Sequence, residues 1–304
     1  SIPRKLMPLS KYIIFKILDG LHYLKNWIAQ FAYKAKTLLP WPNALIKLAS
    51  NDKRSFYNRA NGLVPPPSKV LHGTDGYLNT GREFFEYFIR FGGLEASHKV
   101  LDIGCGTGRM AVPLTTFLDN SGSYDGIDVI KEDIDWASES IGKKYTNFNF
   151  YQIDISNKLY NRNGAIPGAK YKLPFKDNQF DFIFLVSVFT HMLSEDVENY
   201  LKEISRVLKP GGRCLITYFL LNDKSLPQIT KGRTTIDFKY KYEDCLTSNI
   251  DVPEAAIAYD EAKIRTLYSE LDLSITDPIS YGSWTNLNTY LSFQDIVVAT
   301  KGIK

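Results

Sequence analysis

Apolar residues recur at alternating spacings of three and four over residues 10–39: Ile14, Ile17, Leu21, Leu24, Ile28, Phe31, Ala35 and Leu38. One face of a 3.6-residue helix carries all of them. The pattern predicts an amphipathic helix, weakened at Gly20 and ended by Pro40 and Pro42. A polar stretch from residue 50 then runs into three prolines at 65–67, which reads as a stiff linker or the start of a lid. Helical periodicity returns in TGREFFEYFIRFG (80–92) and stops at Gly92 and Gly93.

From residue 99 the pattern becomes an alternation. Short apolar runs occupy 100–105, 124–130, 148–155, 180–189 and 214–221. Between them lie helical segments, among them 109–118, with Pro113 near its first turn, and 195–208. The second helix has a stripe of Val197, Tyr200, Leu201, Ile204, Val207 and Leu208. Ser194, Glu195 and Asp196 mark its start, and KPGG (209–212) stops it. The run 180–189 is apolar enough for the middle of a sheet. Strand alternating with helix predicts an α/β fold, a doubly wound parallel sheet with helices on both faces. Its ligand is expected beyond the carboxyl ends of the strands, where strand order reverses.

Composition narrows the class. The 304 residues are 44% hydrophobic and 23% charged, a globular balance. The net charge of +4 says little until it is located. Residues 1–40 hold seven Lys and Arg against Asp19 alone, a +6 arm, and the remaining 264 residues sum to −2. The arm suits an anionic membrane surface, or a dimer seam through 10–39, or packing on its own catalytic domain. The acidic remainder argues against nucleic acid as a partner. Three cysteines without a C-x-x-C argue against a disulfide framework and against a zinc site built mainly from cysteines, and no metal is expected. A cytoplasmic setting follows as the expectation, with peripheral contact at the inner face of a membrane as what the arm would add. No uncharged apolar run approaches the ~20 residues of a membrane-spanning helix, and the basic start lacks a clean signal-peptide core.

The chemistry centres on VLDIGCGTGR (100–109). Gly104, Gly106 and Gly108 follow a strand and open a helix, so the backbone can turn tightly and approach a ligand. The spacing is G-x-G-x-G, not the dinucleotide G-x-G-x-x-G. Asp102 ahead of it would disfavour a pyrophosphate and suit an ammonium group. Asp128 ends the next run, 24 residues after Gly104, a natural distance for a carboxylate that accepts two ribose hydroxyls. Asp154 ends the third run, placed to accept from an adenine amino group. LPFKDNQFDFIFLVSVFTHM (173–192) and EISRVLKPGG (203–212) complete the series.

Together these five elements resemble the class I S-adenosylmethionine-dependent methyltransferases, in the broad group related to the quinone-biosynthesis C-methyltransferases. The likeness covers residues 98–221 and extends to FQDIVVATK (293–301), which resembles that fold's last antiparallel strand. It implies a mostly parallel seven-stranded, Rossmann-like sheet over 96–304, preceded by a helical extension and lid at 1–95. The cofactor implied is S-adenosyl-L-methionine, with S-adenosyl-L-homocysteine as product. By the same likeness Asp102, Gly104 and Gly106 would meet its methionine half, Asp128 would hold the ribose, and Asp154 with the Ile155 backbone the adenine. Cys105, Gly108, Val129 and Ser187 are counted with them as cofactor-binding. Ser187 to His191 would face the methyl group and the substrate. His191 is the candidate general base; its alternative is a packing or cofactor-shelf role. His98 reads as structural, and His72 would reach the site only from a lid.

Two segments depart from the minimal pattern: 156–172 after the third run, and a long insertion at 222–270. Insertions at this edge usually shape substrate pockets. Phe189, Tyr218 and Trp284, with Phe219 and Tyr281, are the expected pocket walls. Strand four is not followed by [DN]-P-P-[YF], and no Pro-Cys pair occurs. A small-molecule, glycan or lipid-linked acceptor is therefore expected, methylated on oxygen. The alternatives are C-methylation of a quinone-like ring and a cofactor-binding partner subunit without turnover.

Overall fold

The computed structural model describes residues 62–66, 73–287 and 290–303. The predicted 10–39 helix and His72 lie outside them.

Five strands run parallel: β1 (Lys99–Ile103), β2 (Ser123–Asp128), β3 (Phe148–Gln152), β4 (Phe180–Leu185) and β5 (Leu208–Tyr218). They are joined by β6 (Leu273–Ile275) and β7 (Asp295–Lys301) in the order 3-2-1-4-5-7-6. Only β7 runs against the others. Strand order reverses at β1 and β4, where Asp102 sits level with Phe184. This is the seven-stranded Rossmann-like sheet expected.

Period-2 alternation supplies a core on each face. Leu101, Ile103, Ile127, Ile183 and Ile216 point to one side, against Val197, Leu201 and Ile204 of α4 (Ser194–Val207). α6 (Glu261–Glu270) packs there too, through Ile264 and Tyr268. Val100, Tyr124, Phe182, Phe184 and Leu215 point to the other side, against α1 (Gly73–Arg90) and α2 (Ala111–Leu114). Phe88 of α1 stacks on Phe184 at 4.2 Å. The division expected at 95/96 is therefore not where the chain separates: α1 is one layer of the catalytic body and belongs to the unit Asp52–Lys304. Beyond β2, α3 (Lys131–Ala137) runs into a π-helical turn, Ser138–Gly142, that returns the chain to β3.

Several boundaries shift. The run at 180–189 is strand only to Leu185; the chain then turns into a 3-10 segment, Phe189–His191. The helix expected at 109–118 is regular only over Ala111–Leu114. Ser194 does not cap α4; its hydroxyl turns to Asp244 and Cys245 instead, at 2.7 and 2.8 Å.

The insertion ends at residue 260, because α6 leads directly to β6 of the main sheet. It contains α5 (Ser225–Thr230) and builds a four-stranded sheet in the order Leu220–Leu221, Ile257–Asp260, Cys245–Thr247, Tyr240–Tyr242. The first of these strands continues from β5, so the insertion grows straight from the catalytic sheet. Among the described residues no helix is long and apolar enough to cross a membrane, and all three cysteines are buried and free.

Candidate active site

The loop after β1 is tied to the end of β2. Gly104 and Cys105 both donate to the Ile127 carbonyl, at 2.8 and 3.1 Å. All three loop glycines have left-handed backbones, with φ of +80°, +50° and +84°. A Cβ on Gly104 would lie 2.3 Å from Val188, and one on Gly108 2.7 Å from Ile141. A Cβ on Gly106 would meet nothing within 4 Å. Two glycines are thus pinned by neighbours, and the middle one faces open space. Tyr77 of α1 donates to the Thr107 carbonyl at 3.0 Å and holds the loop from the other side.

Two acids flank the loop. Asp128 accepts the Gly106 N–H at 2.8 Å on one oxygen and the Ile130 N–H at 2.9 Å on the other. A carboxylate has about four acceptor sites, so lone pairs remain for a ligand's hydroxyls. Burial raises its pKa, against those two hydrogen bonds. Asp102 is 2% exposed and accepts the Tyr124 hydroxyl at 2.6 Å. Burial pushes its carboxyl up to about 8. Asp102 is therefore a buried acid whose hydrogen bond comes from a neutral phenol, an arrangement suited to an incoming cation.

The Asp128 carbonyl accepts the Ile153 N–H at 2.9 Å, which brings the ends of β2 and the third run together. Asp154 is exposed there, and the Asn161 amide donates to it at 3.3 Å. Ile155 is buried beside it, and Val129 packs half-buried on the core. Cys105 is buried and its thiol is held well above its usual pKa by that burial. Its side chain belongs to the wall behind the loop.

The turn after β4 closes the opposite wall. Ser187 has φ of +61°; its N–H donates to Thr217 at 2.8 Å and its hydroxyl to Gln294 at 3.1 Å. Val188 fills the face of Gly104. His191 follows, with Nδ1 2.9 Å from the Glu254 carbonyl. A carbonyl can only accept, so Nδ1 carries the proton and Nε2 of the neutral ring is left as an acceptor. Burial lowers the His191 pKa, opposed by contacts with the Glu254 and Ala255 backbone. The Asn157 amide donates to the His191 carbonyl at 3.0 Å, and Tyr160 meets the ring edge to face at 5.7 Å. Tyr259 clamps the turn by donating to the Phe189 carbonyl at 2.6 Å and to the Met192 carbonyl.

The aromatic pocket walls are not found. Phe189, Tyr218 and Trp284 are each 0% exposed. Phe189 packs on Tyr200 and Tyr218, and Tyr218 hydrogen-bonds Tyr268 at 2.9 Å. Trp284 donates its indole N–H to Asp295 at 3.0 Å within the insertion's own small core. Large aromatic area is worth more in a core than on a rim, and these side chains are spent there. The residues that do border His191 were missed: Asn157, Tyr160 and Glu254. Their only sequence signal was membership of the two segments that depart from the minimal pattern. His98 lies in the turn before β1, where its Nδ1 accepts the Glu95 N–H at 3.2 Å.

A sequence profile for a methyltransferase domain matches residues 101–216, from β1 to β5. Those residues belong to the class I S-adenosylmethionine-dependent methyltransferases. The chain is 30% identical over 160 residues to a ubiquinone/menaquinone biosynthesis C-methyltransferase of Cellvibrio japonicus, covering 50% of this chain and 55% of that one. It is 27% identical over 187 residues to the sterol 24-C-methyltransferase erg6 of Aspergillus fumigatus, covering 59% and 42%. It is 26% identical over 214 residues to the chloroplastic 2-phytyl-1,4-beta-naphthoquinone methyltransferase of Arabidopsis thaliana, covering 70% of each. The chain spans about half the length of most of the curated relatives it matches. The fold is shared with the PH0226 protein of Pyrococcus horikoshii, with a TM-score of 0.53 at 16% identity over 78% of this chain and 96% of that one. It is also shared with the [4+2]-cyclase SpnF, with a TM-score of 0.50 at 18% identity over 74% and 82%. The fold alone therefore does not fix the reaction.

The family cofactor is S-adenosylmethionine, and the cradle fits it. The open face at Gly106 admits close backbone approach, the buried Asp102 awaits a cation, and Asp128 keeps free acceptor sites beside the loop.

Proposed function

We propose that the chain transfers the methyl group of S-adenosylmethionine to an oxygen of a small-molecule or lipid-linked acceptor. His191 is the general base. The observation that carries this reading is the Nδ1 contact to the Glu254 carbonyl, which puts the proton of a neutral imidazole on Nδ1 and makes Nε2 the accepting nitrogen. Bound in the cradle, the cofactor supplies a methyl group already activated on a sulfonium. The protein's own tasks are to hold the acceptor in line, exclude water and receive the hydroxyl proton. Asp102 holds the ammonium end, Asp128 the ribose, and Asp154 with the Ile155 backbone the adenine. Ser187 and Val188 form the wall between cradle and base.

A second reading, C-methylation of a quinone-like ring, draws support from the names of the sterol and quinone relatives. A ring hydroxyl would give up its proton to the same base. Calorimetry with S-adenosylmethionine tests the common step: binding is expected, and its absence would sink both readings. Turnover of methyl-labelled cofactor with matched phenol and hydroquinone acceptors, followed by locating the label, separates them. Label on carbon alone would overturn the oxygen assignment.

A further inference from the structure

Residues 156–172 carry Lys158, Arg162, Lys170 and Lys172 and not one acid. None of the four is in an ion pair among the described residues. The segment has a fixed shape. Ile155–Ser156 pairs in parallel with Ile166–Pro167. The backbones of Asn157 and Asn161 exchange two hydrogen bonds of 2.9 Å. The Asn157 side-chain oxygen accepts the N–H groups of Leu159 and Tyr160 at 2.9 and 3.0 Å, an Asx turn. Arg162 Nε donates to the Lys158 carbonyl at 2.8 Å across the same turn.

The tip made this way holds its apolar side chains outward. Leu159 is 43% exposed, Tyr160 47% and Ile166 39%. Scattered surface leucines need no explanation, but three large apolar side chains on one braced, wholly basic ribbon form a pattern. The ribbon also stands at the site. Tyr160 meets the His191 ring, and Asp128 is near enough to help raise the Tyr160 hydroxyl pKa, after burial.

We propose that the 157–166 tip is an interfacial docking surface that seats the mouth of the active site on an anionic lipid bilayer. Leu159 and Ile166 enter the headgroup boundary, while Lys158 and Arg162 meet the lipid charge. The inference rests on the methyltransferase reading in one respect: it makes the acceptor a lipophilic molecule that enters from the bilayer. Charge selects the bilayer over a second copy of this chain, because a two-fold contact through this patch would set like charges against each other.

The test uses the full chain and sedimentation with phosphatidylcholine vesicles, with and without phosphatidylserine. Binding is expected only with phosphatidylserine and is expected to weaken with salt. Leu159→Ser/Ile166→Ser and, separately, Lys158→Glu/Arg162→Glu should each lower the bound fraction at least about fivefold. Calorimetric affinity for S-adenosylmethionine should change less than about twofold, since none of the four side chains is in the cradle. Wild-type binding by both double variants would overturn the proposal and assign vesicle binding to the basic arm. So would indifference of the wild-type chain to phosphatidylserine, or a dimer in sedimentation velocity that Leu159→Ser/Ile166→Ser dissolves. Failure of the wild-type chain to bind S-adenosylmethionine, with vesicle binding intact, would overturn the methyltransferase reading and leave the docking surface standing.

Discussion

Gly104 and Asp128 act on the same few atoms from opposite sides, and single substitutions separate what each contributes. Gly104→Ala would force a side chain into a left-handed backbone and drive it into Val188, 2.3 Å away. Overpacking and backbone strain each cost about 1–3 kcal/mol, so chemical denaturation should show a loss of at least ~2 kcal/mol, with cofactor binding lost as well. Asp128→Ala leaves the Gly106 and Ile130 N–H groups unpaired and removes the proposed ribose acceptor; calorimetry should show cofactor affinity reduced about tenfold or more. His191→Ala should cut turnover about 10²-fold or more with affinity nearly intact. An equal loss of affinity would make His191 a shelf. The wild-type rate should fall on the acid side only below the usual histidine range, because burial holds the imidazole neutral. Asp102, Asp128 and the glycines were legible in the sequence because a backbone turn and a strand end admit few residue types. Glu254 was not, because its contribution is a backbone carbonyl, which any residue type possesses.

At the level of elements, the 3-10 turn Phe189–His191 depends on a residue of the insertion. The Tyr259 hydroxyl bridges two of its carbonyls from inside the core. Tyr259→Phe would leave the Met192 carbonyl without its hydroxyl partner and the Phe189 carbonyl with the Met192 N–H alone. An expected destabilisation of about 1–3 kcal/mol in urea unfolding should come with a lower kcat at unchanged cofactor affinity. Strands and helices were legible where burial on one face writes a clear period, as in α4 and the five parallel strands. Their ends were less so. An apolar run does not mark where Ser187 takes up φ of +61° and ends β4, and Ser194 looks like a cap until Asp244 and Cys245 are packed beside it. The aromatic walls failed for a related reason: composition marks Phe189, Tyr218 and Trp284 as large and apolar, while the choice between core and pocket is made by long-range packing.

Across the whole molecule, two buried carboxyls set how stability responds to pH. Burial holds Asp102 near 8 and Asp295 near 7. Asp295 accepts the Leu220 and Gly282 N–H groups at 2.7 and 2.6 Å as well as the Trp284 indole. Between the usual carboxylate pKa and these raised values the folded chain keeps protons that the unfolded chain has released. Stability is therefore greatest on the acid side of this window and falls as pH rises through it. The cofactor-free protein should melt several degrees lower at pH 8.5 than at pH 6.5, and Asp102→Asn should shrink that difference; a flat profile would refute the assignment. The doubly wound sheet was legible at this scale because its alternation repeats five times. The unit boundary was not, since the period of α1 is that of any amphipathic helix, and only long-range packing puts Phe182, Phe184 and α2 against its apolar face.

The contact between His191 and the Glu254 carbonyl bears on how specificity in such a chain can drift. The proton on Nδ1 is fixed by the path of the main chain through the 3-10 turn Pro253–Ala255. Side chains along the insertion can be exchanged for new acceptors while the imidazole keeps its tautomer, provided the path itself survives. Lengthening or shortening the insertion between the Leu220–Leu221 strand and that turn is what would release the ring from that tautomer.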